Sequence, residues 1–170
     1  MPDQLGGKGW RVHVDALLAN RQFAAVKMDV VARTDGIPPD RVSLPGLLEF
    51  AGVSTTDVEV VDLPLHFAEK VHAIIRGRDD GRPNTRVRDL VDAALFIEQS
   101  LLPEDGRVEA AIRRTFADHG TPVPREIADV PDGWRDRYPV LAEGLELQAR
   151  TCDEALQLLR DYWAHARIET

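Results

Sequence analysis

An aspartate set in an otherwise apolar strand, Asp29 in Val26-Lys27-Met28-Asp29-Val30-Val31, is the first residue whose placement suggests chemistry. An ionised carboxylate is costly to bury uncompensated, and on a strand face it can hold a divalent cation, since Mg²⁺ favours carboxylate and phosphate oxygens. In two-metal phosphoryl chemistry such a group orients the nucleophile or the triphosphate. The competing reading, which the sequence alone favours, is an edge-strand aspartate facing solvent, paired with Lys27. Lys70 is the second candidate. At helical spacing Leu65, Ala68, Val71 and Ile75 form a core stripe, while His66, Lys70, Ala73 and Gly77 share another face. A lysine beside small residues can reach a phosphate as a point charge, with Arg76 and Arg78 extending positive charge past the helix end. An ordinary solvated helix face is the competing reading.

The third candidate is Arg86-Val87-Arg88-Asp89-Leu90-Val91-Asp92. Asp89 and Asp92 lie three apart on one helix face, opposite the apolar stripe, and Arg88 and Asp92 lie four apart and can pair. Two carboxylates beside arginines supply the parts of a general base and a clamp on phosphate oxygens. The bland alternative is an acid stabilised by a helix N-terminus plus a surface ion pair worth little.

Other residues carry less. Gly6-Gly7-Lys8-Gly9 lacks the spacing and the hydroxyl of a phosphate loop. The five histidines show no pair at metal-ligand spacing. Cys152 has no nucleophile signature and fits a cap or a packed position. The tryptophans are scattered and read as packing.

The elements that must position these residues follow from pattern. Residues 10–32 alternate with a period of two and read as a β-hairpin turning at Asn20-Arg21. Residues 33–56 are rich in loop residues, broken by a short apolar turn at 47–50, and residues 58–63 form a strand. Pro64 suits the first turn of a helix running to about Arg76, with Gly77 as its stop. A charged turn precedes a helix over 85–99 whose stripe is Val87, Leu90, Val91, Ala94 and Ile97. A third helix spans 107–118 and stops at His119-Gly120. Residues 121–139 read as proline-rich connection with Trp134 and Tyr138 as packing anchors. The last helix opens on a capping box, Thr151-Cys152-Asp153-Glu154. The pattern is α+β: a small antiparallel or mixed sheet over 1–63, followed by a helical region over 64–170.

Composition bounds the setting. The net charge of −8 leaves RNA or nucleotide contact to a local basic patch. With one cysteine, no intrachain disulfide can form, which suits a reducing compartment. The N-terminus lacks the basic and apolar regions of a signal peptide, and no stretch approaches the roughly 18 apolar residues of a membrane span. A cytoplasmic protein without membrane contact is the expectation.

Taken in order, the hairpin ending at Val31, then Phe67-Ala68-Glu69-Lys70-Val71-His72-Ala73-Ile74, then an arginine-rich turn and Arg86-Val87-Arg88-Asp89-Leu90-Val91-Asp92-Ala93, resemble the AbiEii/AbiGii toxin family. These are nucleotidyltransferase-like proteins of bacterial toxin–antitoxin and phage-abortive (abortive infection) systems. The Glu-Lys-x-x-Ala element followed by Arg-x-Arg-Asp-x-x-Asp is specific as an ordered pair, and neither half is specific alone. The resemblance runs from about Arg11 to the last helix. It implies that Asp29 is the third carboxylate of the nucleotidyltransferase sheet and a metal ligand, that Lys70 contacts nucleotide phosphates, and that Asp92, with Asp89 beside it, is the helix acid needed for transfer. Arg76, Arg86 and Arg88 join Lys70 in holding the nucleotide. It further implies Mg²⁺ and a nucleoside triphosphate (NTP), an acceptor such as tRNA or another RNA, and a cognate antitoxin.

The same resemblance implies an upstream Gly-Gly or Gly-Ser turn followed by Asp-x-Asp or Asp-x-Glu. Upstream of Asp29 the nearest match, His13-Val14-Asp15, lacks the first acid. The expectation is therefore a chain that begins after that unit, through truncation, a mis-assigned start or a split protein, and that is weak or inactive by itself. The alternative is a non-catalytic module that holds RNA or the antitoxin through Arg76, Arg78, Arg82, Arg86 and Arg88.

Overall fold

The computed structural model describes residues 3–5, 9–31, 36, 38–44, 46, 50, 52, 56–76, 81 and 83–166. The fold class is α+β, with two small antiparallel sheets and five helices among the described residues. The chain divides into two compact units, Met1–Pro38 and Pro39–Thr170.

The first unit is a three-stranded antiparallel sheet in the order β1 (Asp3–Leu5), β2 (Gly9–Leu18), β3 (Arg21–Val31). Period-two alternation puts Trp10, Val12, Val14 and Ala16 opposite Val30, Met28, Val26 and Ala24, so one face is apolar throughout. The other face sets Arg11 against Asp29 and His13 against Lys27. The turn is Ala19-Asn20, one residue earlier than the pattern indicated. Both residues adopt positive φ, 49° and 60°, as a two-residue hairpin turn requires if it is to match strand twist. Register slips between Ala16 and Leu17, which moves the turn relative to the alternation.

In the second unit β4 (Asp40–Leu44) pairs with β5 (Thr56–Val60). The stretch read as loop thus contains a strand, whose short alternation is obscured by the prolines on either side. Helix α1 (Leu63–Ile75) is capped by Asp62, whose carboxylate accepts from the Leu65 amide at 3.0 Å. Pro64 sits in the first turn, where a missing N–H costs nothing. Its buried stripe is Leu65, Phe67, Ala68, Val71, His72 and Ile74. Helix α2 (Val87–Glu98) buries Val87, Leu90, Val91, Ala93, Ala94 and Phe96. Helix α3 (Arg107–Asp118) follows, with the bounds its pattern indicated.

The proline-rich connection requires correction. It contains α4 (Gly133–Ala142), a helix with Pro139 inside it. An internal proline removes one helical hydrogen bond, and tertiary packing overrides that penalty by burying Trp134, Tyr138 and Ala142. Helix α5 (Cys152–His165) opens on the expected capping box, with the Thr151 hydroxyl and the Glu154 carboxylate each accepting the other's backbone N–H. One core joins the helices through Phe67, Leu90, Ile112, Trp134, Leu156 and Leu159. No helix among the described residues is long and apolar enough to cross a membrane.

Candidate functional site

The pairing of α1 with α2 places Lys70 against the two acids of the second helix. Lys70 Nζ donates to Asp92 Oδ2 at 2.6 Å and to Asp89 Oδ1 at 3.3 Å. These groups come from positions 19 and 22 apart in sequence. Each lies on the polar edge of a stripe whose opposite side is core. Phe67, Ala68 and Val71 pull α1 inward, and Leu90, Val91 and Ala94 do the same for α2. The polar edges therefore meet at the rim of the interface.

The three side chains differ in burial. Those of Lys70 and Asp89 are 13% and 16% exposed, whereas Asp92 is 37% exposed. Asp89 also lies 3.9 Å from the Arg86 guanidinium. Formal charges of Lys70, Arg86, Asp89 and Asp92 cancel. An ammonium has three donors, and two are directed at carboxylates, which leaves one N–H for a further acceptor. Asp92 is the acid that reaches solvent, and Asp89 is the one that anchors the lysine from the inner side.

His66, one turn before Lys70, belongs to the same neighbourhood. Its imidazole packs edge-on against Phe96. Burial, reinforced by the Lys70 charge, holds its pKa below the ordinary value of 6.5. Arg86 and Arg88 are exposed at the start of α2. Arg88 does not pair with Asp92 among the described residues; the partner of Asp92 is the Lys70 ammonium. Arg76 is exposed at the C-terminal end of α1. Arg78, Arg82 and the turn glycine Gly77 lie outside the described residues, as do Gly6, Gly7 and the apolar turn at 47–49.

Asp29 stands in the hairpin unit. The Arg11 guanidinium grips both its oxygens, Nε to Oδ1 at 2.7 Å and Nη2 to Oδ2 at 2.9 Å. The partner is thus the arginine directly across the strand pair, not Lys27. The hydrogen bond from Arg11 holds the Asp29 pKa below the usual carboxylate value. Among the described residues no three His, Cys, Asp or Glu side chains gather closely enough to hold a metal ion. Mg²⁺ takes near-octahedral oxygen ligation. A single carboxylate already chelated by an arginine does not fit a resident cage.

Cys152 is buried, and burial pushes its thiol pKa up, the opposite of an activated nucleophile. His72 and His119 stack at 4.2 Å, and His72 Nε2 lies 3.0 Å from Thr121 Oγ1. The ring is a satisfied core group.

Pattern reading overlooked Asn84. Its side chain reaches three carbonyls at the end of α1 and one amide at the start of α2. An asparagine just before a helix is a familiar turn former, but its local sequence gives no hint of a contact with the preceding helix.

A lysine on one helix facing two acids on the next, with arginines at the start of the second helix, is an arrangement suited to phosphate contact and proton transfer. The family model described as nucleotidyl transferase AbiEii toxin, type IV toxin–antitoxin system, matches residues 2–166, nearly the whole chain. The chain belongs to the AbiEii nucleotidyltransferase toxin family. No curated protein matches it.

Proposed function

We propose that this chain is the toxin of a toxin–antitoxin pair that holds a nucleoside triphosphate through Lys70 and directs its nucleotidyl group to an acceptor such as tRNA. The observation that carries this reading is Lys70 held by Asp92 and Asp89 at the rim of the α1–α2 interface. The third N–H of Lys70 meets a phosphate oxygen. Arg86 and Arg88, exposed at the α2 N-terminus, add positive charge where helix amides also favour an anion. Asp92, the more exposed acid, takes the proton from the acceptor hydroxyl as that oxygen bonds to the α-phosphorus and the α–β phosphoanhydride breaks, releasing pyrophosphate. Asp89 keeps Lys70 aimed. Mg²⁺ accompanies the triphosphate as part of the substrate.

Phosphoryl-type transfer depends on positioning and on neutralising developing charge. The strand carboxylate Asp29 is bound up with Arg11, so the chain by itself binds NTP weakly and turns it over slowly or not at all. The experiment is equilibrium binding of radiolabelled NTP with Mg²⁺, followed by incubation with bulk tRNA. Weak binding that Lys70→Ala removes, with little labelling of tRNA, is the expected result. Binding indifferent to Lys70→Ala sinks the phosphate role. Robust labelling by the 170-residue chain shows that the hold of Arg11 on Asp29 does not suppress turnover.

A second reading, a non-catalytic module that holds RNA or an antitoxin, rests on the exposed arginines Arg76, Arg86 and Arg88. It is favoured if RNA binding survives Lys70→Ala and Asp92→Ala together.

A further inference from the structure

We propose that Asn84 is the positioning residue of the Lys70–Asp89–Asp92 cluster, a side-chain staple that sets the last turn of α1 against the first turn of α2. Its importance for nucleotide transfer rests on the function proposed above, whereas its geometry stands independently. The last carbonyls of a helix lack intrahelical partners and must be satisfied by something else. In α1, Asn84 Nδ2 donates to the carbonyl oxygens of Ala73, Ile74 and Arg76 at 2.9, 3.0 and 3.0 Å. Two N–H groups shared among three acceptors make a forked cap, supplied by the segment that enters the next helix.

The other end of the same amide faces forward. Asn84 Oδ1 accepts the Arg86 amide at 2.9 Å, and Arg86 is the N-cap position of α2, which has no side-chain cap of its own. The Asn84 main-chain oxygen accepts from Trp134 Nε1 at 2.7 Å, and Trp134 is buried in the core. One residue thus ties α1, α2 and α4 together by five hydrogen bonds. No aspartate can substitute here, because three carbonyl oxygens require a donor.

Lys70 lies six residues before Arg76, about 9 Å along the helix at 1.5 Å per residue. With α1 free to pivot at its C-terminal end, a rotation of a few degrees moves Lys70 Nζ by roughly 1 Å, enough to break a hydrogen bond of ordinary length. Misplacement on that scale is also what transfer chemistry tolerates least. The hydrophobic stripe fixes which faces of α1 and α2 meet, and Asn84 fixes the angle at one end.

The experiment reads Lys70 directly. The chain has three lysines, Lys8, Lys27 and Lys70, so peptide mapping after brief treatment with acetic anhydride gives a separate acylation rate for each. In the unmodified protein Lys70 is shielded by its two carboxylates. Asn84→Ala is expected to raise the Lys70 rate by about fivefold to tenfold, as loss of a net hydrogen-bonded restraint would, with Lys27 unchanged and helix content by circular dichroism retained. Asn84→Asp, which keeps the Arg86 acceptor but loses the donor, should behave like Asn84→Ala. Ile112→Val, which trims the shared core without touching any of the five bonds, should leave Lys70 at its original rate.

Should either Asn84 variant fail to fold, Trp134→Phe removes one of the five bonds and is expected to raise the Lys70 rate in the same direction. An unchanged Lys70 rate in whichever variants fold overturns the proposal, as does an equal rise in Ile112→Val. The two readings separate cleanly. If NTP does not bind the unmodified chain while Asn84→Ala still exposes Lys70, the nucleotide reading falls and the staple stands. If NTP binds through Lys70 and the Lys70 rate ignores Asn84, the staple falls alone.

Discussion

Two acid–base clusters with the same chemistry stand in different surroundings. In the hairpin, Arg11 holds Asp29 with two good hydrogen bonds, yet the side chains are 41% and 49% exposed. Between α1 and α2, Lys70 holds Asp89 and Asp92 with less regular geometry; Lys70 and Asp89 are largely out of water, and Asp92 reaches it. The better geometry does not make the stronger interaction. Solvent screens the first pair, and exposed ion pairs contribute little. In the second, a lysine withdrawn from water must keep its partners, because leaving a part-buried charge unmatched costs more than the pair gains. The same contrast extends to the units around them. The helices close over a core in which Phe67, Val87, Leu90 and Ile112 are fully buried, whereas Val14, Val26, Met28 and Val30 of the hairpin remain about half exposed.

The contrast can be broken most sharply in the core. Trp134→Ala removes a buried indole and its bond to the Asn84 oxygen, and is expected to cost about 3–5 kcal/mol. Val14→Ala in the hairpin should cost roughly 0.5 kcal/mol or less. Urea denaturation followed by circular dichroism at 222 nm reads both, and comparable losses would show that the hairpin is packed as tightly as the helices.

The ion pairs come next. Lys70→Ala leaves Asp89 and Asp92 facing each other without their cation, and a loss of about 1–3 kcal/mol is expected. Arg11→Ala should leave the denaturation midpoint where it is. A double-mutant cycle with the partner acid isolates each coupling, and equal couplings would remove the distinction drawn from burial.

A smaller effect is expected from pH. Burial, with the neighbouring His119 and Arg76 charges adding to it, holds the folded His72 pKa below 6.5. The unfolded chain therefore takes up the proton first as pH falls. Stability from neutral His72 is complete above about pH 6.5 and is lost as pH drops from there past the folded value. His66 acts in the same direction. Midpoints measured between about pH 7.5 and 5.5 should fall, and His72→Gln should flatten the slope. A slope unchanged by that substitution would remove His72 from the account.

The smallest change lies in the hairpin turn. Ala19 holds φ at 49°, a left-handed conformation that disfavours a side chain. Ala19→Gly should raise hairpin stability by a few tenths to about 1 kcal/mol, seen as slower amide exchange across β2 and β3. Faster exchange would mean that the turn is not left-handed in solution.

Several features needed only the sequence. Period-two alternation from Trp10 to Val31 announced the hairpin, apolar stripes at helical spacing announced α1 and α2, the His119-Gly120 stop marked the end of α3, and Thr151 with Glu154 announced the cap that opens α5. These signals are local, because a strand face, a helix face and a cap are each written within a few residues. The ordered pair of elements around Lys70 and around Asp89-Asp92 also pointed to the family that matches residues 2–166. Helix α4 was hidden, since a proline inside it contradicts local propensity and only burial of Trp134 and Tyr138 outweighs that. Strand β4 was hidden because its pairing partner β5 lies beyond a loop. The contacts that make the site belong wholly to tertiary structure. Neither the 2.6 Å bond from Lys70 to Asp92 nor the reach of Asn84 back to Ala73, Ile74 and Arg76 can be read from spacing. Both depend on how two helices cross, which the interlocking of their buried faces sets and which, in our proposal, Asn84 holds at one end.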